Sequence, residues 1–441
     1  MKKKKNEFEA KYASRRARII KQIKGEAAIF SSSPVQNQSR DLAFPYRQDS
    51  DFFYLTGFPE SEAVLVLLGS SRGPRSILYL RDRNPDDERW TGERLGLKRA
   101  KKRFRLDEVR SIEQFGSDLA TLLPDARALH YAAGSNPKID RSVWDVFKST
   151  VGPRPAMPHI LKDARLITSQ MRSVKDRDEI RSLRHAAHIT AKSFVEFAQR
   201  IREVKSERHG AELLGSLFAR YGGHGLAFPT IVAAGKNATT LHHEPQFHPL
   251  WQRELVLVDA GAMFNGYMGD VTRTFPVSGT FSRAQAAVYD IVLEASQQAI
   301  QASKAGNSLD DVHQAAVRVI TKGLLDLRVL KGNIPQLINN FSYRKYFMHR
   351  TGHWLGLDVH DIAPIYVQDT LVPPALRPLE PGNVFTVEPG LYFEVNDSSV
   401  PAAYRGIGIR IEDNVLITAG GCEVLTSGMP NGRKEIEALM R

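Results

Sequence analysis

A single cysteine, Cys422, stands in 441 residues, so the chain cannot form an internal disulfide. Its scarcity fits a reducing compartment and points to the cytoplasm. No apolar run approaches the roughly 20 residues that cross a bilayer, so no membrane helix is expected. The N-terminal stretch MKKKKNEFEAKYASRRARIIKQIK is basic but lacks the apolar segment and small-residue cleavage site of a secretory signal. Its two glutamates and early lysine run also argue against a transit peptide. No sequence-level repeat is visible.

Aromatic residues are few where nucleic acid would need them: Phe8 and Tyr12 in residues 1–24, and Phe104 in 94–105. The formal charge is +12, and residues 1–24 hold ten Lys/Arg against two Glu. A second basic run, RLGLKRAKKRFR, covers 94–105. Neither run alternates aromatics regularly with its cations or matches a binding motif. A solvated helix face or arm is therefore the reading, and a nucleic-acid partner is not expected.

What is present describes a folded chain of two domains: 42% hydrophobic and 25% charged residues over a length that exceeds one ordinary core. Residues 27–30, 63–69, 76–80 and 128–134 are apolar strand candidates among helix-like segments, which suggests an α/β layer. The polar, proline-containing stretch at 152–175 reads as the join. From Asp178 onward, Ile180, Leu183, Ala187, Ala191, Phe194, Ala198 and Ile201 recur at helical spacing. His185 and His188 on or beside this helix read as core or surface residues. A second helix is expected near 209–220 and a sheet region at 227–276. Two further helices would begin at the capping patterns Ser282-x-x-Gln285 and Ser308-x-x-Asp311. Residues 347–420 are again strand-rich. The order helix, helix, sheet thus occurs twice, which predicts two similar halves whose sheets join into one curved antiparallel surface.

The segment ELVLVDAGAMFNGYMGDVTRTFP (254–276) reads as a hairpin turning at Asn265-Gly266. Phe264 then faces Tyr267, Asp259 faces Thr272, and Asp270 faces Gly261. Side chains alternate along a strand, so Asp259 and Asp270 share one face as diagonal neighbours roughly 7–8 Å apart. Aspartate is depleted in strands and rarely buried alone. Either each acid pairs with an arginine, Arg273 and Arg253 being nearby, or the two share cations.

The later strands decide between these. FMHRTGHWLGLDVHD holds His349, His353 and His360; VFTVEPGLYF puts Glu388 at the end of an apolar strand; and YRGIGIRIEDNVLIT sets Ile409 and Ile411 on one face, Arg410 and Glu412 on the other. Two carboxylates about 4 Å apart repel by roughly 4 kcal/mol at an effective dielectric near 20. Four on one sheet surface therefore require cations. Two divalent ions would neutralise Asp259, Asp270, Glu388 and Glu412, with His353 completing the set. One imidazole among oxygen donors is not the thiolate or histidine-rich chemistry of structural zinc. It leans toward Mn²⁺, with Co²⁺, Fe²⁺ or Zn²⁺ as the other candidates.

The motifs LVLVDAG, GDVTRTFP, HWLGLDVHD, TVEPGLY and YRGIGIRIEDNVLIT resemble the pita-bread metallopeptidases, most closely the Xaa-Pro aminopeptidases (aminopeptidase P). FPYRQDSDFFYLTGFPE and RWTGERLG resemble that family's N-terminal domain. The resemblance implies an α+β chain with an N-terminal domain over 1–172 and a catalytic domain over 173–441. Asp259 would bind one metal, Asp270 and Glu412 both, His353 and Glu388 the other. His242, His349 and His360 would line the substrate cleft. His243 adjoins His242, and the spacing to Asp259 favours His242 as the cleft residue. Arg350-Thr351 after His349 replace a more usual small or polar pair. Arg405 and Arg410 would orient carboxylates, and Tyr392 would lie in the same supporting or substrate-facing shell. Trp90 would belong to a domain that reaches a neighbour's active site in a homodimer or homotetramer.

The implied activity is release of the first residue from peptides with proline second. A hydroxide shared by two divalent ions would attack the scissile carbonyl, Glu388 would move protons, and His360 and His242 would meet the oxyanion. Prolidase, on the same two-domain plan, is the main alternative. A silent binding module or a metal-free hydrolase of this fold would lack the ligand set, and methionine aminopeptidase usually lacks so large an N-terminal domain.

Overall fold

The computed structural model describes residues 2–70, 75–124, 126–149, 157–364 and 376–441, with side chains omitted for 2–9 and 149. The chain divides into two compact units, Met1–Ser169 and Gln170–Arg441.

The first unit is built on a mixed six-stranded sheet. Its order is Glu108–Ser111, Arg75–Leu80, Val64–Leu68, Ala27–Ser31, Ala128–Tyr131, Ile160–Lys162. The outer pairs are parallel and the central hairpin pairs antiparallel. The central strands are buried along their whole length, as expected of strands covered on both faces. One face packs Ile29, Val66, Ile77 and Leu129 against Phe115, Leu119 and Val143 of two helices. All four expected strands are present, the last ending at Tyr131.

Two expectations change here. Of the stretch at 152–175, residues 152–156 lie outside the described ones. Beyond them, Ile160–Lys162 is an edge strand and Arg165–Ser173 a helix, because Ile160 pairs with Ala128 and extends the sheet. The basic N-terminus is the helix Lys2–Gln22, and not all of its charge is solvated. Arg15 and Arg16 are buried, and their guanidinium groups donate to the carbonyls of Tyr54, Leu55, Phe104 and Arg105. Desolvation pushes Arg16 down to about 10, against the pull of Asp107.

In the second unit the helix Arg177–Gln199 starts at Asp176, whose side chain accepts from Glu179 N–H while Glu179 reaches back. That capping box satisfies donors no helical carbonyl can reach. The capping boxes at Ser282 and Ser308 form as their sequences predict. Arg177–Gln199 and Glu207–Arg220 pack on the sheet of Ile231–Ala234, Leu255–Ala260 and Val271–Pro276. Arg283–Ala302 and Leu309–Asp326 pack on Val384–Val387, Gly390–Tyr392, Gly408–Arg410 and Asp413–Thr418. The two halves meet where Glu412 N–H donates to Thr272 O at 3.0 Å. Residues 347–364 are less strand-rich than expected. They form turns tied to the strand Val384–Val387 through Trp354↔Phe385 and Thr386 N–H to His353 O.

The hairpin has the register its turn dictates. Phe264 faces Tyr267 and Asp259 faces Thr272, with no bulge between. Asn265 and Gly266 both take positive φ, 52° and 83°, the mark of a type I′ turn.

Candidate metal centre

Each acid is delivered by a strand or its end. Asp259 sits in Leu255–Ala260, Asp270 just before Val271–Pro276, Glu388 just after Val384–Val387, and Glu412 between Gly408–Arg410 and Asp413–Thr418. Ligand atoms of Asp270, His353 and Glu412 all lie within 4.8 Å of one another. His353 Nε2 is 3.5 Å from Asp270 Oδ2 and 3.5 Å from Glu388 Oε1. Its Nδ1 donates to Trp354 O at 3.0 Å, which turns the unprotonated Nε2 toward the acids.

Of the two alternatives raised for the hairpin acids, the arginine pairing is seen for one of them. Asp259 does pair with an arginine, but it is Arg410: Nη2 lies 2.7 Å from Oδ2. Arg273 instead pairs with Asp413 at 2.7 Å and donates to four carbonyls. Arg410 also donates to Tyr392 Oη and Thr272 Oγ1, and the Thr272 hydroxyl in turn donates to Glu412 Oε2 at 2.7 Å. Arg405 does not join them. Its guanidinium donates to the carbonyls of Val400 and Ser398 and holds that loop.

One guanidinium faces four carboxylates, and the imbalance shows in their protonation. Burial, then the charges of Asp259 and Glu388, drive Asp270 well above the carboxylate range. Burial, then Asp270, does the same to Glu412. Burial raises Glu388 to about 7, with Arg410 opposing and Asp259 adding. Asp259 Oδ1 is buried with no hydrogen-bond partner among the described residues. An open oxygen, a converging imidazole and mutually repelling acids are what a divalent-cation site requires, so the donor set fits metal ions.

The histidines line one side of this cluster. The rings of His353 and His360 lie 4.0 Å apart. His349 Nε2 meets Tyr392 Oη at 2.9 Å, and its Nδ1 lies 3.8 Å from Glu388 Oε2. Burial, then the Arg410 charge, pushes His349 down to about 3, so it is neutral. Burial also lowers His353 and His360. His242 is close enough to act electrostatically on both His349 and His360, whereas His243 turns to Glu207 at 2.8 Å.

The sequence reading missed the supporting hydroxyls: Thr272, and Thr386, which donates to Glu388 Oε1 at 3.3 Å. Thr272 was findable, since it stands opposite Asp259 in the hairpin register. Arg350 and Thr351 go to the helix Leu309–Asp326, bonding Asp310 at 3.0 Å and His313 at 2.8 Å. Trp90 lies on Pro85–Thr91 of the first unit, 89% exposed.

Known proteins resemble this chain along nearly its whole length. The profile of metallopeptidase family M24 matches residues 181–419, and that of the aminopeptidase P N-terminal domain matches 12–130. A Xaa-Pro aminopeptidase of Haemophilus influenzae is 40% identical, over 99% of this chain and 97% of the relative. The structure of Escherichia coli aminopeptidase P with the inhibitor Pro-Leu superposes with a TM-score of 0.92 at 38% identity, covering 98% of each chain. Proline aminopeptidase P II of Yersinia pestis gives 0.91 at 39%, over 98% of this chain and 99% of its own. With a strand-borne acid cluster, a family profile across more than half its length and near full-length relatives, the chain belongs to metallopeptidase family M24.

Proposed function

We propose that the chain is a metal-dependent Xaa-Pro aminopeptidase, releasing the first residue of peptides whose second residue is proline. The convergence of Asp259, Asp270, His353, Glu388 and Glu412 carries this reading, together with relatives named for that activity across the full chain. Two divalent ions, Mn²⁺ foremost, would be held by those five residues. When bound, they supply a Lewis acid and bring the ionisation of water near neutral pH.

The chain's own groups do the rest. Glu388 keeps 17% of its side chain exposed, against 12% for Asp259 and 4% for Asp270, so it is the acid that opens toward the cleft. It takes the proton of the attacking water and returns it to the leaving nitrogen. His349, neutral and held by Tyr392, packs beside Glu388, while His360 and His242 donate to the oxygen of the developing tetrahedral centre. Arg410 fixes Asp259 directly and Glu412 through Thr272. An Xaa-Pro bond lacks an N–H, so a site that holds amine and carbonyl without needing that donor suits it.

The same reading assigns residues 1–172 to the N-terminal domain and 173–441 to catalysis, in a cytoplasmic homodimer or homotetramer. The exposed Trp90 is the residue that would serve a neighbouring subunit's substrate. Its replacement by alanine should weaken binding of longer peptides, and light scattering should show no active monomer.

The test of function is kcat/KM for Xaa-Pro, Xaa-Pro-Xaa and Xaa-Ala-Xaa peptides, before and after chelation and Mn²⁺ repletion. The tripeptide with proline should be cleaved best, and only with metal. Preference for the dipeptide would move the assignment to prolidase, and equal cleavage of the alanine peptide would remove the proline specificity.

A further inference from the structure

Beside the metal cluster lies a second knot of charge that the chemistry above does not use. Arg172, Lys175 and Asp361 are buried together, their side chains 2%, 1% and 1% exposed. Lys175 Nζ donates to Asp361 Oδ2 at 2.8 Å and to Arg172 O at 2.6 Å. Arg172 Nη2 holds Asp361 Oδ1 and also Asp358 Oδ2, the latter at 2.7 Å. Both oxygens of Asp361 are therefore taken by cations.

Burying ions costs several kcal/mol each, and well-packed apolar residues would be as stable, so stability alone does not account for the knot. Its distinctive product is geometry. Asp361 ends the turn that begins at His353. Within it Gly356 N–H donates to Asp358 O, Gly356 O accepts from Met268 N–H, and Asp361 N–H returns to Trp354 O. The turn closes so tightly on the carboxylate that a Cβ on Gly356 would stand 2.0 Å from Asp361 Oδ2. Asp361 is buried in the knot, and its neighbour His360 is exposed beside the His353 ring.

We propose that Asp361, clamped between Arg172 and Lys175, is a positioning residue for His360. The clamp removes the rotation that would otherwise let the turn, and the imidazole one residue earlier, drift within the cleft. The proposal rests on the reading of His360 as a group that meets the reacting carbonyl oxygen. A misplacement of an ångström in such a group can cost up to about 10²-fold in rate.

The experiment is a double-mutant cycle on the Mn²⁺-loaded full chain with an Xaa-Pro-Xaa tripeptide. Lys175→Met should lower kcat about tenfold, with KM moving less than about twofold, because ground-state binding does not use the oxyanion contact. Metal content should be unchanged, and Lys175→Arg should restore kcat. In a His360→Ala background, Lys175→Met should cost less than about twofold more, since the group it positions is gone. Asp361→Asn, read through the same cycle, serves if the methionine variant does not fold. A slow His360→Ala enzyme beside a Lys175→Met enzyme of ordinary kcat overturns the positioning alone. So does an undiminished Lys175→Met effect in the His360→Ala background. A His360→Ala enzyme of unchanged kcat sinks the role of His360, and this proposal with it.

Discussion

The two halves of the second unit follow one plan, two helices over an antiparallel sheet, yet they contribute to the centre differently. The first half brings Asp259 and Asp270 on a single hairpin, eleven residues apart and set by one turn. The second brings His353, Glu388 and Glu412 from three separate segments, together with the only cation among the described residues that pairs with any of the four acids, Arg410. Neither half holds a complete site. The acids of the first are balanced by the arginine of the second, and the join at Thr272 and Glu412 brings them into range. A repeated architecture here makes one site from two unequal parts, and the inequality can be tested.

The largest effect should come from cutting the part of the centre shared by the halves. Asp270→Asn or Glu412→Gln should cost roughly 10³-fold or more in kcat/KM, the scale expected when an ion that polarises the carbonyl is lost. Chelation should do the same to the unaltered enzyme. Full activity in either variant would end the two-metal reading.

Next is a feature of the second half without a counterpart in the first, the buried His313. Burial, then the Arg350 charge, lowers it to about 4, with Asp310 opposing and Arg344 assisting. Its unfolded pKa is near 6.5, so above that pH neither state binds the proton and the folded chain keeps its full stability. Between pH 6.5 and about 4 the unfolded chain takes up a proton that the folded one refuses. Stability should fall across this window by on the order of 3 kcal/mol. Urea midpoints of the chain and of His313→Gln should diverge there in slope; parallel slopes would discount His313.

The third effect separates ligand from proton carrier. Glu388→Gln should lower kcat by roughly 10²-fold with a much smaller change in KM. A normal kcat with weakened binding would leave Glu388 as a ligand only.

The smallest probes the hairpin. Gly266→Ala places a Cβ at φ 83° and should cost about 1–2 kcal/mol in thermal unfolding, with the site's register kept. A neutral substitution would mean that the turn is not what holds Asp259 opposite Thr272.

Where the reading of the chain succeeded, the interactions were local. Asn265-Gly266 dictates a turn because both residues tolerate positive φ, and the register of Asp259 follows by counting. Ser282 and Ser308 cap helices through partners three residues on. The alternation of Ile409, Arg410, Ile411 and Glu412 places two side chains in the core and two at the site, since a strand repeats every second residue.

What tertiary structure decided was the choice of partner over long separations. Four arginines stood near the acids in sequence or on the same strands, but only Arg410 reaches Asp259, across 151 residues, because two sheets meet there. Arg273, nearer in sequence, is committed to Asp413, and Arg405 to its own loop. His242 and His243 are neighbours of equal chemistry, and a buried glutamate on a helix, Glu207, takes the second. Arg172, Lys175 and Asp361 gave no local sign of their pairing over more than 180 residues. Periodicity and turn geometry act over a few residues. Which charge neutralises which is an electrostatic choice that exists only once the chain has packed.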